Sequence, residues 1–340
     1  MNADRRIAVY GAYGHTGRFV VRELLRRGWT PVASGRDARK LAALAEAFAG
    51  IETHAAAVGD AAALDRALDG TRALIHCAGA FLDTGAPLLD AALRARIHYL
   101  DVAAEQRATD ATYARDAQLR AAGLVALPSM AFYGGLADLL ATALLDDGET
   151  RVDAIDVAVA LDSWHPTEGT RLTGERNHYR RWVIAGGERQ YLADPPPTRR
   201  WNFPAPIGDV DVVGLPLAET ITIARHLHCT ELRSWMNLAP LTDLRDPGTP
   251  PPRATDAEGR SDQRFVVDVE VCTGGRRRRA RAQGQDIYAV SAPLVVEAME
   301  RIVDGRVRAA GALAPGQAFD ARAMLAALAE RGIETRIDPS

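Results

Sequence analysis

The stretch VYGAYGHTGR, residues 9–18, places three glycines at three-residue intervals between an apolar run and an amphipathic run. The apolar run predicts a buried parallel strand, and the helical spacing of apolar residues over 19–25 predicts a helix. In such a unit Gly11 allows the tight turn, Gly14 lets the backbone approach a pyrophosphate, and Gly17 permits close helix packing. Free amides at the helix start favour negative charge, so we predict nucleotide binding rather than a purely conformational turn.

The second predicted strand, TPVASG (30–35), ends at Arg36, where NAD-binding folds usually have an acidic residue for the adenosine ribose. A guanidinium there pairs with the 2′-phosphate that distinguishes NADP from NAD, and Ser34 and Lys40 lie close to it in sequence. We therefore predict NADP as the cofactor. A solvated Arg36 beside Asp37 as the N-cap of the next helix is the alternative, and the two interpretations are compatible.

Further cofactor contacts are predicted at the ends of later strands. Asp60 follows the third strand and could reach the adenine edge, although an N-cap role explains it equally well. The segment CAGAF (77–81) follows the fourth strand, where small residues let the second ribose pass. The predicted cofactor-binding residues are Gly11, Tyr13, Gly14, His15, Thr16, Gly17, Ser34, Arg36, Lys40, Asp60, Cys77, Ala78, Gly79, Phe81 and Asp101.

Strand-like and helix-like segments alternate up to about residue 150, which predicts a parallel sheet covered on both faces. Within this region Pro87 is predicted to begin a helix over residues 87–96. Beyond that point the residues at 153–161, 219–224, 231–238 and 264–271 predict antiparallel strands. The predicted fold class is α/β, a Rossmann-type parallel sheet with an inserted α+β domain of mixed or antiparallel sheet. We assign residues 1–150 to the NADP-binding domain, 151–290 to a substrate and dimerisation domain, and 291–340 to a helical segment returning to the first domain.

The composition is that of a globular protein that binds small molecules. The 340 residues are 47% hydrophobic and carry a formal net charge of −3, which argues against nucleic acid and anionic membranes as partners. No apolar run is long enough to span a membrane, and three scattered cysteines predict no disulfide framework and no metal site. The basic run RRRRARA (276–282) follows two glycines and predicts a hairpin strand at a sheet edge. We expect a small-molecule substrate, a homodimer and a cytoplasmic location.

Several segments together resemble the saccharopine dehydrogenase NADP-binding family, which includes saccharopine reductases and trans-acting enoyl reductases. They are VYGAYGHTGRFVVREL (9–24), CAGAFLDTGAPLLDAALRARIHYLDVAAE (77–105), ALPSMAFYGGLADLL (126–140), DIYAVSAPLVVEAMERIVDG (286–305) and GALAPGQAFDARAMLAAL (311–328). The resemblance implies a Rossmann domain, an inserted mixed-sheet domain, helices that return at the end, and NADP as cofactor. The chain departs from the family pattern at Ala104, which precedes Glu105 where the family commonly has glycine.

The segment DSWHPTEGTRLTGERNHYRRW (162–182) gathers the residues that we predict to be catalytic. His165 and Tyr179 could donate a proton near neutral pH, and Arg171 could hold a substrate carboxylate in bidentate fashion. The alternative is an ordinary helix with a solvated charged face. The single lysine of the chain, Lys40, has no tyrosine four residues before it, which excludes the short-chain dehydrogenase pair.

These patterns predict an NADP-dependent oxidoreductase that transfers a hydride to a C=N, C=C or C=O bond of a small metabolite. A non-catalytic NADP-binding redox sensor is the alternative, since such a protein needs no proton donor. A polar pocket facing the nicotinamide favours the enzyme, whereas a filled pocket and an exposed apolar patch favour the sensor.

Overall fold

The computed structural model describes residues 5–146, 148–307 and 309–338. The predicted domain bounds also include residues 1–4, 147, 308 and 339–340, which lie outside the described part. The chain forms two structural units. Unit 1 comprises residues 1–131 and 291–313, and unit 2 comprises residues 132–290 and 314–340. Relative to the predicted division, residues 132–150 and 314–340 therefore fall in unit 2.

Unit 1 contains a parallel sheet. Its strands are β1 (Arg6–Tyr10), β2 (Thr30–Gly35), β3 (Glu52–Ala55), β4 (Ala73–His76), β5 (His98–Asp101), β6 (Val125–Leu127) and β15 (Gly311–Ala312). Their order is β15-β6-β5-β4-β1-β2-β3, and each described pair is parallel. Because the connections run outward in opposite directions from β1, the carboxyl ends of β1, β2 and β4 form the crevice where this fold binds ligands.

The helices of unit 1 connect and cover these strands. They are α1 (His15–Arg26), α2 (Ala38–Ala47), α3 (Ala61–Leu68), α4 (Phe81–Ala95), α5 (Gln106–Tyr113), α6 (Asp116–Ala122) and α11 (Ser291–Val303). Arg27, just after α1, forms ion pairs of 2.6 and 2.5 Å with Glu297 and Glu300, which both lie in α11. The prediction that Pro87 begins a helix is wrong, because α4 already begins at Phe81, whose amide donates to the Glu105 carboxylate at 3.0 Å.

Unit 2 contains a mixed sheet. Its strands are β7 (Arg151–Leu161), β8 (Trp182–Ala185), β9 (Glu188–Tyr191), β10 (Thr198–Asn202), β11 (Asp209–Gly214), β12 (His228–Asn237), β13 (Arg264–Thr273), β14 (Arg276–Gln285) and β16 (Glu334–Ile337). The main order is β10-β11-β12-β7-β13-β14-β16, and β8 joins β9 to β12. β7 pairs with β12 in parallel and with β13 antiparallel. The predicted fold class, a Rossmann-type sheet with an inserted α+β unit, is confirmed.

The helices of unit 2 are short. They are α7 (Ala137–Ala143), α8 (Glu168–Arg176), α9 (Ala218–Ala224), α10 (Ala239–Arg245), α12 (Pro315–Ala318) and α13 (Ala321–Ala329). The prediction of a strand over 219–224 is wrong, since these residues form the buried helix α9. A short apolar run does not distinguish a strand from a buried helical segment by periodicity. α7 packs against β13 and α13, which explains why unit 2 begins before residue 150.

The arginine-rich strand β14 follows the hairpin turn that the two glycines predict. It lies between β13 and β16, so the predicted position at the sheet edge is wrong. Arg279 forms ion pairs with Asp268 and Glu270, and Arg278 forms one of 2.7 Å with Glu149. Arg278 and Arg279 therefore have carboxylate partners within unit 2.

Candidate functional site

Three close backbone approaches shape the glycine turn between β1 and α1. Gly11 has a φ of +79°, and a Cβ added there would lie 2.9 Å from the Cβ of Ala78. A Cβ at Gly14 would lie 3.1 Å from the Gly11 carbonyl oxygen, and one at Gly17 would lie 2.9 Å from the Cα of Ala12. Gly11 and Gly17 therefore need glycine for a conformational reason, whether or not a ligand binds there, and Gly14 leaves little room for a side chain.

The first turns of α1, α2 and α3 differ in how their amides are satisfied. Gly14, the N-cap of α1, makes no side-chain capping bond, and the first turn, which begins with His15 and Thr16, has no acidic residue. By contrast, Asp37 accepts hydrogen bonds of 2.9 and 3.1 Å from two amides of α2, and Asp60 accepts one of 2.9 Å from α3. Of these three helices, α1 is thus the one whose amides are left for an anion.

The end of β2 carries the residues predicted to contact a phosphate. Arg36 is exposed, and within the described part of the chain no group forms a hydrogen bond or ion pair with it. Lys40 places its Nζ 5.7 Å from the ring centre of Tyr13. Tyr13 packs on Gly35, where a Cβ would lie 2.6 Å from the ring, and the buried Ser34 hydroxyl has no hydrogen-bond partner among the described residues. This strand end therefore presents two exposed cations beside a flat aromatic ring.

A buried histidine holds the loop that follows β4. The Nδ1 of His76 lies 2.9 Å from the Tyr99 hydroxyl, and its Nε2 lies 3.0 Å from both the Ala78 carbonyl oxygen and the Thr84 hydroxyl. Burial lowers the pKa of His76 to about 3, so the ring is neutral near pH 7. Because Ala78 is the residue that approaches Gly11, this hydrogen-bond network holds the loop against the glycine turn.

The remaining predicted residues of unit 1 have identifiable environments. Cys77, Ala78 and Gly79 are partly exposed at the carboxyl end of β4, and burial raises the pKa of the Cys77 thiol, which favours a packing role over a nucleophilic one. The ring of Phe81 packs on His76, with ring centres 4.6 Å apart. Their contacts with a cofactor stay predictions.

Asp101, at the end of β5, is a buried carboxylate with backbone partners. It is 3% exposed and accepts hydrogen bonds of 3.0 and 2.7 Å from the amides of Ala103 and Ser129. Burial raises the pKa of Asp101 and these two hydrogen bonds oppose that rise. The geometry thus gives Asp101 a structural role at the β5 and β6 ends, beside the cofactor role predicted for it.

In unit 2 the predicted catalytic residues lie in or beside α8, a helix with no buried residue. The Nδ1 of His165 lies 3.2 Å from the Pro250 carbonyl oxygen, and Arg171 donates to the Thr249 carbonyl oxygen at 2.8 Å. Tyr179 follows the helix and is 50% exposed. The side chains of His165 and Arg171 therefore both contact the loop at residues 249–250. The catalytic roles of all three residues stay predictions.

Unit 2 also contains a group of polar side chains that the sequence did not reveal. Tyr133 lies in the turn before α7, Arg181 precedes β8, and Glu219 is in the first turn of α9. Arg181 donates to the Pro216 carbonyl oxygen at 3.1 Å, and Glu219 accepts from the Leu217 amide at 2.8 Å. Burial raises the pKa of Tyr133 and of Glu219 and lowers the pKa of Arg181.

Of this group, only Glu219 has a recognisable signal in the sequence. Glu219 is an acidic residue in the apolar run LAETITIA (217–224), and a strand assignment directs it to solvent. The helix instead buries it to 3% exposure, together with Thr220 at 0%. Reading 217–224 as a buried helix would have singled out Glu219, because a buried carboxylate requires a specific partner.

Two other kinds of feature are absent from the described residues, namely a membrane-spanning helix and a metal-binding cluster. No helix among them is both long enough and apolar enough to cross a membrane. Among the same residues, no group of three or more histidine, cysteine, aspartate and glutamate side chains is arranged to hold a metal ion.

The comparison with family models matches residues 7–127 to the saccharopine dehydrogenase NADP binding domain. Among solved structures, the apo histidine-tagged saccharopine dehydrogenase (L-Glu forming) from Saccharomyces cerevisiae is similar to the whole chain. The match has a TM-score of 0.67 at 11% identity and covers 98% of this chain and 100% of that one. At this identity the likeness shows a shared fold.

Other solved structures match only part of the chain. Triphenylmethane reductase from Citrobacter sp., complexed with NADP(H), is 26% identical over 29% of this chain and 37% of that one, with a TM-score of 0.27. A 3-ketoacyl-(acyl-carrier-protein) reductase from Brucella melitensis, complexed with NADH, is 16% identical over 36% and 74% of the two chains, with a TM-score of 0.32. No curated protein sequence matches the chain.

Proposed function

We propose that this protein is an NADP-dependent oxidoreductase in which unit 1 binds the cofactor and unit 2 contacts a small-molecule substrate. The observation that carries the proposal is in unit 1, where the uncapped start of α1 lies next to a strand end with an exposed, unpaired Arg36. The match of residues 7–127 to an NADP-binding family model supports it. NADP, when bound, supplies hydride chemistry, here for a C=N, C=C or C=O bond.

The residues of unit 1 fit a phosphorylated dinucleotide by their chemistry. The glycine turn has no side chain between the backbone and a ligand, so the amides of Thr16 and Gly17 can donate to a pyrophosphate. Arg36, assisted by Lys40, pairs with the 2′-phosphate of the adenosine ribose. An acidic residue at the end of β2 would repel that phosphate, and the sequence has arginine there.

In this proposal His165 and Tyr179 are the proton donors and Arg171 holds a substrate carboxylate. These roles rest on the types of side chain and on the position of the residues in and beside an exposed helix. A homodimer and a cytoplasmic location belong to the same proposal, and light scattering and cell fractionation test them.

Titration calorimetry with NADPH and NADH tests the cofactor half of the proposal. We expect wild-type protein to bind NADPH about tenfold or more tightly than NADH, because charge-assisted hydrogen bonds to the 2′-phosphate are lost with NADH. Arg36→Ala is expected to remove most of this difference without weakening NADH. The matched control is Arg66→Ala, because Arg66 is an exposed arginine in the last turn of α3.

Three outcomes would count against this view. Absence of binding by either nucleotide would mean that the glycine turn is only conformational and would overturn the oxidoreductase proposal. Equal affinity for both nucleotides in wild-type protein would overturn the choice of NADP. Tight NADPH binding without NADPH oxidation across aldehydes, imines and enoyl compounds would favour the non-catalytic sensor.

A further inference from the structure

The helix α8 is not held in place by an apolar core. None of its nine residues is buried, whereas six of the seven residues of α9, in the same unit, are buried. The leucine of α8, Leu172, is 36% exposed. Helices shorter than about 12 residues are marginal in water, and most helical stability in proteins comes from burial of an apolar face. Polar contacts therefore have to keep α8 folded.

The hydroxyl of Tyr288 is the centre of these polar contacts. Tyr288 lies in the turn after β14. The indole Nε1 of Trp164 donates to its hydroxyl oxygen at 3.1 Å, and the Thr167 amide donates to it at 3.4 Å. The Thr170 hydroxyl lies 2.9 Å from the same oxygen. Trp164 precedes α8, Thr167 is its N-cap and Thr170 is in its first turn, so one atom joins three points of the segment.

A tyrosine hydroxyl has the capacity for these bonds at the same time. Its oxygen accepts two hydrogen bonds and its O–H donates one. The N–H groups of Trp164 and Thr167 fill the two acceptor positions, which leaves the proton for the Thr170 hydroxyl. The His165 carbonyl oxygen, at 3.4 Å, is a second acceptor for that proton. Burial raises the pKa of Tyr288, so the hydroxyl keeps its proton near pH 7.

The turn that carries Tyr288 is fixed by contacts that do not involve α8. The Tyr288 amide donates to a carboxylate oxygen of Asp286 at 2.9 Å, and Asp286 is 0% exposed. The other carboxylate oxygen of Asp286 accepts from the Ser261 amide and hydroxyl at 2.8 and 3.0 Å. The Asp286 amide donates to the Gln263 carbonyl oxygen at 2.8 Å. Loss of the Tyr288 hydroxyl should therefore release α8 and leave the turn in place.

Two of the residues that we predict to be catalytic follow the first turn of α8. The Arg171 amide donates to the Thr167 carbonyl oxygen at 3.0 Å, so the backbone of Arg171 is fixed to the N-cap. His165 lies two residues before Thr167, and its carbonyl oxygen is beside the Tyr288 hydroxyl. The side chains of both residues then contact the loop at residues 249–250. Their positions therefore depend on the contacts of Tyr288.

We infer that Tyr288 is a positioning residue whose hydroxyl keeps the first turn of α8 folded and thereby fixes where His165 and Arg171 lie. The importance of this for activity rests on the proposed function, which gives those two residues their roles. The contacts themselves lie within unit 2, and they can be tested without a substrate or a nucleotide.

Amide hydrogen exchange of the full chain, resolved by residue with mass spectrometry, tests the contacts in Tyr288→Phe. Phenylalanine keeps the ring and removes only the hydroxyl. We expect the amides of Thr167, Thr170 and Arg171 to exchange about tenfold faster, because α8 then opens without breaking the bonds to Tyr288. Amides of β7 and β13 should keep their rates, since these strands pair with each other. Unchanged exchange at the three α8 amides overturns the inference.

Substitutions at Thr170 separate the hydroxyl from packing, and they test the inference even if Tyr288→Phe does not fold. Thr170→Val keeps the shape and removes the hydroxyl, whereas Thr170→Ser keeps the hydroxyl and removes a methyl group. We expect the Thr167 and Arg171 amides to exchange about threefold or more faster in Thr170→Val and at nearly the wild-type rate in Thr170→Ser. The reverse order would mean that packing of the methyl group holds α8, and it overturns the inference.

Thr173→Val is the matched control on the same helix. Among the described residues no group forms a hydrogen bond with the Thr173 side chain, and valine and threonine have similar helix propensities. Exchange in α8 should therefore stay at the wild-type rate. Near-ultraviolet circular dichroism establishes that each variant is folded. Faster exchange in Thr173→Val, equal to that in Thr170→Val, would overturn the assignment to the Tyr288 contact.

The indole N–H of Trp164 gives an independent spectroscopic signature. The chain has five tryptophans, and Trp164→Phe identifies the Trp164 signal among the indole resonances of a 15N-labelled sample. Because this N–H donates to the Tyr288 hydroxyl, Tyr288→Phe should shift the Trp164 signal more than the other four. A Trp164 signal that does not move overturns the inference.

Steady-state kinetics of Tyr288→Phe tests the effect on activity. With a substrate that supports NADPH oxidation by wild-type protein, we expect kcat/KM to fall about tenfold because the reacting groups are misplaced. NADPH affinity should stay the same, since the contacts of Tyr288 lie within unit 2. Faster exchange in α8 with unchanged kcat/KM overturns the positioning role. Absence of NADPH binding by wild-type protein overturns the proposed function instead, and the exchange rates still decide whether Tyr288 holds α8.

Discussion

The two units build their candidate sites from different materials. In unit 1 the site consists mainly of backbone amides within the ten residues of the glycine turn, with Arg36 shortly after it. In unit 2 the group of polar side chains comes from residues 133, 181 and 219, which only the fold brings together. A site made of backbone has a local sequence signature because glycine spacing sets the turn. A site made of distant side chains has none, and burial rather than spacing identifies it.

The largest expected effect comes from placing a side chain inside the glycine turn. Gly17→Ala adds a Cβ that would lie 2.9 Å from Ala12 backbone atoms and closer still to the Gly11 carbonyl oxygen. We expect a loss of about 3 kcal/mol in the free energy of unfolding of unit 1 and no detectable NADPH binding by calorimetry.

Gly85→Ala is the matched control for this change. Gly85 lies within α4, and a Cβ there would meet no atom within 4 Å. Alanine should raise the stability by about 0.5–1 kcal/mol, because glycine is costly inside a helix. Normal NADPH binding by Gly17→Ala would show that the turn tolerates a side chain and that its spacing carries no functional information.

A smaller effect is expected from breaking a long-range ion pair of unit 2. Arg278 donates to Glu149 at 2.8 and 2.7 Å, and this lowers the pKa of Glu149 to about 2. Arg278→Met should reduce the free energy of unfolding by about 2 kcal/mol at pH 7 in urea titrations. Because the pKa of the folded state lies below the ordinary value, the pair's contribution is present above about pH 4.5 and is lost as the pH falls towards 2.

The pH profile checks that assignment. The stability difference between wild type and Arg278→Met should shrink steadily below pH 4.5, while NADPH affinity at pH 7 stays the same in both proteins. A difference that is independent of pH would mean that Arg278 stabilises unit 2 through packing of its side chain.

At pH 7 the smallest expected effect is that of His76 in unit 1, which appears only as a pH dependence at lower pH. The folded-state pKa of His76 is about 3, below the ordinary 6.5, so the unfolded chain binds the extra proton between these values. Stability should therefore fall with decreasing pH from 6.5 towards 3, with a slope approaching about 1.4 kcal/mol per pH unit from this residue. His76→Gln, measured by urea titration over the same range, should show a correspondingly shallower slope. Identical slopes would mean that His76 is already protonated in the folded protein.

The sequence anticipated unit 1 better than unit 2. Alternating strands and helices, the glycine spacing and Asp37 as an N-cap all have local causes, and the structure contains each of them. The helix start at Pro87, the strand at 219–224 and the edge position of β14 were predicted wrongly, because distant groups decide them. Glu105 holds the start of α4, and burial in unit 2 makes 219–224 a helix.

By itself the sequence determined the α/β class, the glycine turn and the cation after β2, because spacing and side-chain type within a few residues set these features. Only the tertiary structure decided where unit 2 begins, that the β14 arginines have carboxylate partners, and that Tyr133, Arg181 and Glu219 meet. The physical reason is that hydrogen bonding and desolvation depend on which distant groups are buried together. Those neighbours exist only once the chain has folded.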